Sequence, residues 1–451
     1  MTYNRFVNNI YFPLTQKFKK EKIHENLIFL EKSQYYSETE LRQLQLQKLQ
    51  NLLKTANQSV PYYQNLFREN RVIPEEIMDL DNIHRIPYLN KEIITIQKNN
   101  LYSTNYSGKV YAGTTSGSTG TALNFVVNSE YNSWDWASRW RGRRWYNVDI
   151  GDREFAIWGR PVYSKLSRFT DPIKAIFRNT ILVDGFNVSN KRLEKYCYLI
   201  IHFKPDYIYG YSVSVFQLAN FMRKHFPGRK IPRLKAVFVT AEMLYPHQRQ
   251  IIEEVFNAPV SNEYGCSEIG GFAYECKSGN WHISTENVIV ESVSIDGGSP
   301  ELVLTSLTNY YMPFIRYRIG DLGEISALKC NCGVKLPILK FNAGKTTDVI
   351  ILKNGKKITS EIFLYLTRAM VENHFQPFKK FRIVQNDLET FTIAYEEDRY
   401  ISESSKEKFK NLLLKSLKAE NITVHFEKVS EIPKEKNGKF RYFISEINQS
   451  I

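Results

Sequence analysis

An α/β fold with a separate small α+β unit at its end is the architecture this sequence predicts, on three observations. From about residue 155 onward, short apolar strands alternate with helical stretches. In the last hundred residues that alternation gives way to a hairpin, a lysine-rich amphipathic helix and one alternating strand. A chain of 451 residues, 43% hydrophobic and 14% aromatic, is also long and apolar enough to bury the core of two or more domains.

Taken in order, the elements begin with Ser37-Glu38-Thr39-Glu40, which has the form of a capping box. Leu41, Leu49, Leu52, Leu53 and Ala56 follow with helical spacing until VPYY, Val60–Tyr63, stops the helix. Val110–Tyr111 and Leu123–Val127 read as strands on either side of TTSGSTGTA, Thr114–Ala122. The strand YIYGYS, Tyr207–Ser212, leads into a helix at Val213–His225, and the buried strand Ala236–Glu242 into a helix at Pro246–Phe256. Val260–Ser261 and NEYG then continue as a strand, and the alternation predicts a core whose sheet is largely parallel. The polar stretch NAGKTTD, Asn342–Asp348, is the expected hinge. Beyond it lie a hairpin of Phe381–Val384 with Phe391–Tyr395, a helix over Ser402–Ala419 and a strand at Ile422–Glu427.

Lys and Arg exceed Asp and Glu by 14. That charge suits a nucleotide, a nucleic acid, an anionic membrane face or an acidic sugar, and equally a solvated lysine surface. Basic residues are dense only in KFKKEK, Lys17–Lys22, and RWRGRR, Arg139–Arg144, a scatter that argues against a dedicated nucleic-acid arm. No apolar run approaches the roughly 20 residues of a membrane span. MTYNRFVNNIYFPLTQ lacks the pattern of a signal peptide, so a cytoplasmic location is expected. The basic amino-terminal segment leaves peripheral membrane association open.

Gly, Ser and Thr at the density of Thr114–Ala122 fit either a flexible linker or a loop that grips phosphates. The segment is neither a Walker A loop nor GxGxxG. Its strand–loop–strand setting favours the grip, because glycines allow close backbone approach and hydroxyls can donate to phosphate oxygens. TTSGSTGTAL resembles the phosphate-binding loop of the adenylate-forming (acyl-activating) enzyme superfamily. Four further segments match in order: NEYGCSE (Asn262–Glu268), YRIGDLGEI (Tyr317–Ile325), GKTTDVIILKNGKKI (Gly344–Ile358) and PKEKNGKFR (Pro433–Arg441). VPYYQNLF (Val60–Phe67), IPYLNKEII (Ile86–Ile94) and TAEML (Thr240–Leu244) resemble the phenylacetate–CoA ligase-like branch, some of whose members serve capsular polysaccharide synthesis.

The resemblance implies a large amino-terminal domain, residues 1–344, with mixed sheets and flanking helices, and a small mobile α+β domain, residues 345–451. It implies an ATP-dependent ligase that joins a carboxylic acid to AMP, releases pyrophosphate and passes the acyl group on. Thr115, Ser116, Ser118 and Thr119 would hold the β- and γ-phosphates, with Gly117 and Gly120 letting the backbone close in. Ala241, Glu242, Glu263, Tyr264 and Gly265 would border the nucleotide, Tyr264 either stacking on adenine or filling the core. Glu268 would position Mg2+, Asp321 would accept the ribose hydroxyls, and Lys439 would bridge the carboxylate and the α-phosphate. Where the family usually has Arg after the hinge Gly, this chain has Lys345, and KNGKK follows at Lys353–Lys357. That departure bears on the thioester step and turns the expectation towards an amine or hydroxyl acceptor, in cell-envelope polysaccharide synthesis. CoA is the alternative acceptor. A non-catalytic nucleotide- or RNA-binding protein is the alternative of a different class.

Cys276 and His282, with Cys330 and Cys332, make the complete donor set of a structural Zn2+ site, or four residues with no metal. Cys266, inside the segment NEYGCSE, reads as packing. Trp134, Trp136, Trp140 and Trp145 interleave with Arg139, Arg141, Arg143 and Arg144. They form either core and surface or, since this segment lies near the acyl substrate in related enzymes, an arginine-rich wall suited to an acidic or sugar-like acid.

Overall fold

The computed structural model describes residues 3–447 except 116–122, 159–178, 186–188, 230–232, 242–243, 245, 295–299, 344–348, 354, 356, 360–365, 367–369, 371–374, 376, 379, 398–399, 418–421 and 433–442. Local rules set the amino-terminal helices. The Glu40 amide donates to Ser37 Oγ at 3.3 Å and the Ser37 amide donates to Glu40 Oε2 at 2.7 Å, so the capping box starts the helix Glu38–Ser59. Leu41, Leu49, Leu52, Leu53 and Ala56 form its buried face. Pro61, which has no amide proton for an interior helical bond, opens the next helix, Pro61–Glu69.

Among the described residues, eleven strands form one sheet. Its parallel half runs, in spatial order, Thr180–Asp184, Glu154–Trp158, Tyr207–Tyr211, Ala236–Thr240 and Val260–Cys266. The antiparallel half continues with Gly270–Glu275, Trp281–Ile283, Ile338–Ala343, Tyr317–Ser326, Glu301–Ser306 and Val288–Val293. The largely parallel sheet expected from the alternation is therefore mixed, with four parallel and six antiparallel pairings. Connection length is the reason. A parallel neighbour needs a crossover of about a dozen residues, which the helices Asn190–Phe203, Ser212–His225 and Pro246–Phe256 supply. Between Cys266 and Gly270 lie three residues, room only for a hairpin.

Alternation along the parallel strands divides the core. Ile208, Val237 and Val239 pack with Leu193, Ile200, Leu218 and Ile252 of the crossover helices. Their neighbours Tyr207, Tyr209, Ala236 and Phe238 pack with Leu27, Leu30, Ala137 and Trp140. The parallel half thus has a helical layer on each face.

The helix Ser129–Arg144 buries charge as well as aromatic rings. Arg141, 1% exposed, pairs with Glu286 at 2.6 Å and donates to Ser284 Oγ at 2.8 Å, while Ser33 Oγ donates to the same Glu286 oxygen at 2.6 Å. Arg143 pairs with Glu263 at 3.4 Å, Arg139 with Asp135 and Glu263, and Arg144 with Glu31 and Asp149. Each guanidinium therefore has a carboxylate partner, as burial in a low-dielectric layer demands. The arginine-rich wall is a neutralised framework.

Residues 380–445 form a second, four-stranded sheet in the order Thr423–Lys428, Thr390–Glu396, Lys380–Gln385, Phe443–Ser445. The expected hairpin is there, with Phe381 opposite Tyr395, and the helix Glu403–Leu417 buries Phe409, Leu413 and Leu417 in a core of its own with Ile383 and Ile393. Among the described residues, no helix is long and apolar enough to cross a membrane.

Removing one partner of the buried pair strands the other charge. Glu286→Ala is expected to cost about 3–5 kcal/mol of stability, measured by urea unfolding, and Glu286→Gln less. A loss below about 1 kcal/mol would mean that Arg141 finds water or another acceptor.

Candidate functional site

The strand Val260–Cys266 ends the parallel half, and the turn after it carries Glu268. Its backbone leaves no room for a side chain at Gly265, where an added Cβ would stand 2.3 Å from the Gly270 carbonyl oxygen. The opposite arm of this turn is tied to the helix Ser129–Arg144, because the Gly271 amide donates to Asp135 Oδ1 at 2.8 Å. Glu268 is buried, and its carboxylate accepts the Tyr317 hydroxyl at 2.7 Å.

Tyr317 begins the strand that also carries Asp321. Asp321, likewise buried, accepts the Tyr264 hydroxyl at 2.5 Å. The two segments NEYGCSE and YRIGDLGEI are thus cross-tied twice, each contributing one carboxylate and one phenol. Three strands separate them in the sheet order. Burial, followed by the facing carboxylate, pushes both phenols well above the ordinary tyrosine range, so each stays protonated and donates. Tyr264 sets its ring edge-on to Phe272 and Trp281 at 4.9 and 6.0 Å, with the ring half-buried. Tyr317 lay inside a segment singled out from sequence, yet its bond to Glu268 joins positions too distant in the chain for local pattern to reveal.

Of the other expected site residues, the structure describes Ala241, Glu263, Gly265 and Thr115. Ala241, directly after the strand Ala236–Thr240, has φ +72°, a left-handed conformation that a non-glycine residue adopts at a cost. Glu263 is 4% exposed and its carboxylate is held by Arg139 and Arg143, so its side chain faces the framework. Thr115 closes the neck of the Gly/Ser/Thr loop. Its amide donates to the Leu123 carbonyl at 2.8 Å and its hydroxyl accepts the Leu123 amide at 3.0 Å. The antiparallel strands Val110–Thr114 and Asn124–Asn128 pair from Thr114 opposite Asn124. Ser116, Gly117, Ser118, Thr119, Gly120, Glu242, Lys345 and Lys439 lie outside the described residues.

Trp158 stacks on Tyr209 and Tyr211, with ring centroids 5.3 and 4.3 Å apart. Arg139 donates to the Tyr209 hydroxyl at 2.7 Å. Gly210 between the two tyrosines admits no Cβ, which would stand 2.7 Å from the Ile157 carbonyl oxygen.

A second cluster gathers Cys276, His282, Cys330 and Cys332, whose donor atoms all lie within 4.8 Å of one another. Cys276 and Cys330 sulfurs are 3.6 Å apart, and His282 Nε2 is 3.2 Å from Cys332 Sγ. Sulfurs at the corners of a tetrahedron with bonds of about 2.3 Å stand about 3.7 Å apart, so the spacing fits a metal shell. His282 Nδ1 sits 2.9 Å from the Leu336 carbonyl, which as acceptor fixes the tautomer and leaves the Nε2 lone pair facing the thiols. The Asn280 side-chain amide donates to Cys330 Sγ at 3.2 Å and the Val334 amide to Cys332 Sγ at 3.4 Å. His282 pairs with Ile338 across adjacent strands, so the cluster joins the turns at the ends of two hairpins. Cys197 is buried and Cys266 half-buried, and none of the five cysteines is in a disulfide.

The chain is similar to several known proteins. Residues 350–446 match the model of the CapK C-terminal domain. The chain is 26% identical to Protein CapK of Staphylococcus aureus over 420 residues, 90% of each chain. It is 26% identical to phenylacetate-coenzyme A ligase of Thermus thermophilus over 356 residues, 74% of this chain and 77% of that one. Among solved structures it shares its fold with 2-hydroxyisobutyryl-CoA ligase captured with 2-HIB-AMP and CoA in the thioesterification state. The TM-score is 0.61 at 16% identity, covering 91% of each chain.

The bond between Tyr317 and Glu268 is open to a double-mutant cycle. Tyr317→Phe and Glu268→Gln, alone and combined, should give a coupling of about 1–3 kcal/mol in urea unfolding, the range of a buried hydrogen bond to a charged group. Additive effects would mean that the two side chains do not share this bond in solution.

Proposed function

We propose that this chain, a member of the adenylate-forming superfamily on the side of CapK and the phenylacetate–CoA ligases, is an ATP-dependent, AMP-forming ligase for a carboxylic acid. One observation carries the reading. Glu268, in the turn at the carboxyl end of the last parallel strand, and Asp321, on an antiparallel strand distant in sequence, lie on segments tied together by Tyr264 and Tyr317. The carboxyl end of the parallel strands is where open α/β sheets bind ligands.

In the reaction the substrate carboxylate attacks the α-phosphate of ATP. A C–O–P bond forms, the bond to the bridging oxygen breaks and pyrophosphate leaves. The work of the protein is positioning and electrostatic stabilisation. Asp321 takes the ribose hydroxyls. Tyr264 donates to that carboxylate, and a carboxylate can accept more than one donor. Glu268, oriented by Tyr317, is the oxygen ligand for Mg2+, which supplies charge neutralisation at the phosphates when bound. Ser116, Ser118 and Thr119, with the backbone at Gly117 and Gly120, grip the β- and γ-phosphates above the Thr115–Leu123 neck. Ala241, Glu242 and Gly265, with the main chain at Glu263, border the nucleotide. The acid lies against Trp158, Tyr209 and Tyr211.

Residues 1–344 form the large domain and 345–451 the small one, which brings Lys439 to the carboxylate and α-phosphate; Lys345 sits at the hinge between them. The activated acyl group then passes to an amine or hydroxyl. The lysine at the hinge position, where the family usually has arginine, supports this acceptor. CoA is the second reading, favoured by the relatives named as CoA ligases. Cys276, His282, Cys330 and Cys332 hold a structural Zn2+, whose full shell leaves no position for catalysis.

The purified protein should exchange labelled pyrophosphate into ATP in the presence of its acid. Lys439→Ala should lose the exchange by about a hundredfold or more, with nucleotide binding kept. Absence of exchange across a broad panel of acids, with ATP bound, would point to the non-catalytic alternative. Once an acid is found, the acceptor that raises AMP release separates CoA from amines and alcohols. Elemental analysis should find about one zinc per chain. Cys330→Ser should lose it and melt at a lower temperature; a metal-free native protein with unchanged melting on chelation would rule the zinc site out.

A further inference from the structure

We infer that the amino-terminal helical segment is a docking face for an anionic lipid surface. Residues 3–19 run as continuous helix through Tyr3–Phe6, a wider π turn at Val7–Tyr11, and Phe12–Lys19. Ile10, Leu14 and Phe18 recur every four residues along it and so share a side. They are 41, 61 and 88% exposed, with Phe18 the most exposed of the large apolar side chains among the described residues.

The opposite side is anchored. Val7 and Gln16 are buried, Gln16 Oε1 accepts the His24 amide at 2.9 Å, and Phe12 packs against the cluster that contains Ile23, Leu27 and Trp140. The segment is therefore held to the body with its apolar row facing out.

Charge selects the occupant. The first twenty residues contain no Asp or Glu, while Arg5, Lys17, Lys19 and Lys20 are basic. A second copy of the chain meeting this face across a two-fold axis would bring the same lysines together, and the like charges would repel. Nucleic acid would satisfy the lysines and leave the apolar row in water. An anionic bilayer satisfies both: apolar side chains enter the boundary below the headgroups, and lysine ammoniums stay level with the phosphates. The chain as a whole, at +14, is drawn to the same surface.

The test is co-sedimentation of the full chain with phosphatidylcholine vesicles, with and without phosphatidylglycerol. Binding is expected only with phosphatidylglycerol, and it should weaken as salt rises. Leu14→Glu with Phe18→Glu should lower it about tenfold or more, and Lys17→Gln with Lys19→Gln and Lys20→Gln should lower it too. All these side chains except Lys19 are exposed, so melting curves should match the native protein and report that the variants fold. No binding to anionic vesicles, equal binding to neutral ones, or full binding by the Leu14→Glu/Phe18→Glu variant would each overturn the inference. So would a native dimer that this variant splits. None of these readings depends on pyrophosphate exchange, so the lipid face and the ligase reading stand or fall separately.

Discussion

Charge carried into the interior by the helix Ser129–Arg144 constrains everything around it. A guanidinium removed from water needs a carboxylate beside it, and the carboxylates that answer come from distant parts of the sheet. Glu286 precedes the edge strand Val288–Val293, and Glu263 lies on the last parallel strand. The same helix starts directly after the hairpin whose tip is the Gly/Ser/Thr loop. Its Asp135 holds the Gly271 amide beside the turn of Glu268. Pairing of buried charge therefore fixes this helix, and with it the hairpin that leads into it, against the strand that carries Glu263.

On that frame the two carboxylates of the candidate site are held by phenols. A protonated tyrosine whose pKa is raised by burial is a stable donor: it orients a carboxylate without neutralising it. Glu268 and Asp321 each accept one such bond, and accepting oxygens are what a cation or a pair of hydroxyls requires.

Much of this was legible in the residues. The capping box at Ser37 and Glu40, the strands either side of the Gly/Ser/Thr loop, the helix Pro246–Phe256 and the hairpin beginning at Phe381 are consequences of local pattern and appear where pattern put them. The Cys/His set was legible because metal donors are rare and come in short-range pairs. The mixed character of the sheet came from the family resemblance and not from the alternation, because alternating apolar runs do not state the direction of the neighbouring strand; the three residues between Cys266 and Gly270 were the local signal. The arginines were read as surface or wall because composition says nothing about a partner 145 positions away, as Glu286 is from Arg141.

The crowding at Gly265 has a bearing on how such a protein changes over generations. Where the two arms of the turn touch through main-chain atoms, the placement of Glu268 is largely a property of the backbone. The aromatic rings at Trp158, Tyr209 and Tyr211 stand on other strands. Drift in those rings can proceed while the turn keeps its shape, so on the proposed reading the choice of acid can change without rebuilding the turn that carries Glu268.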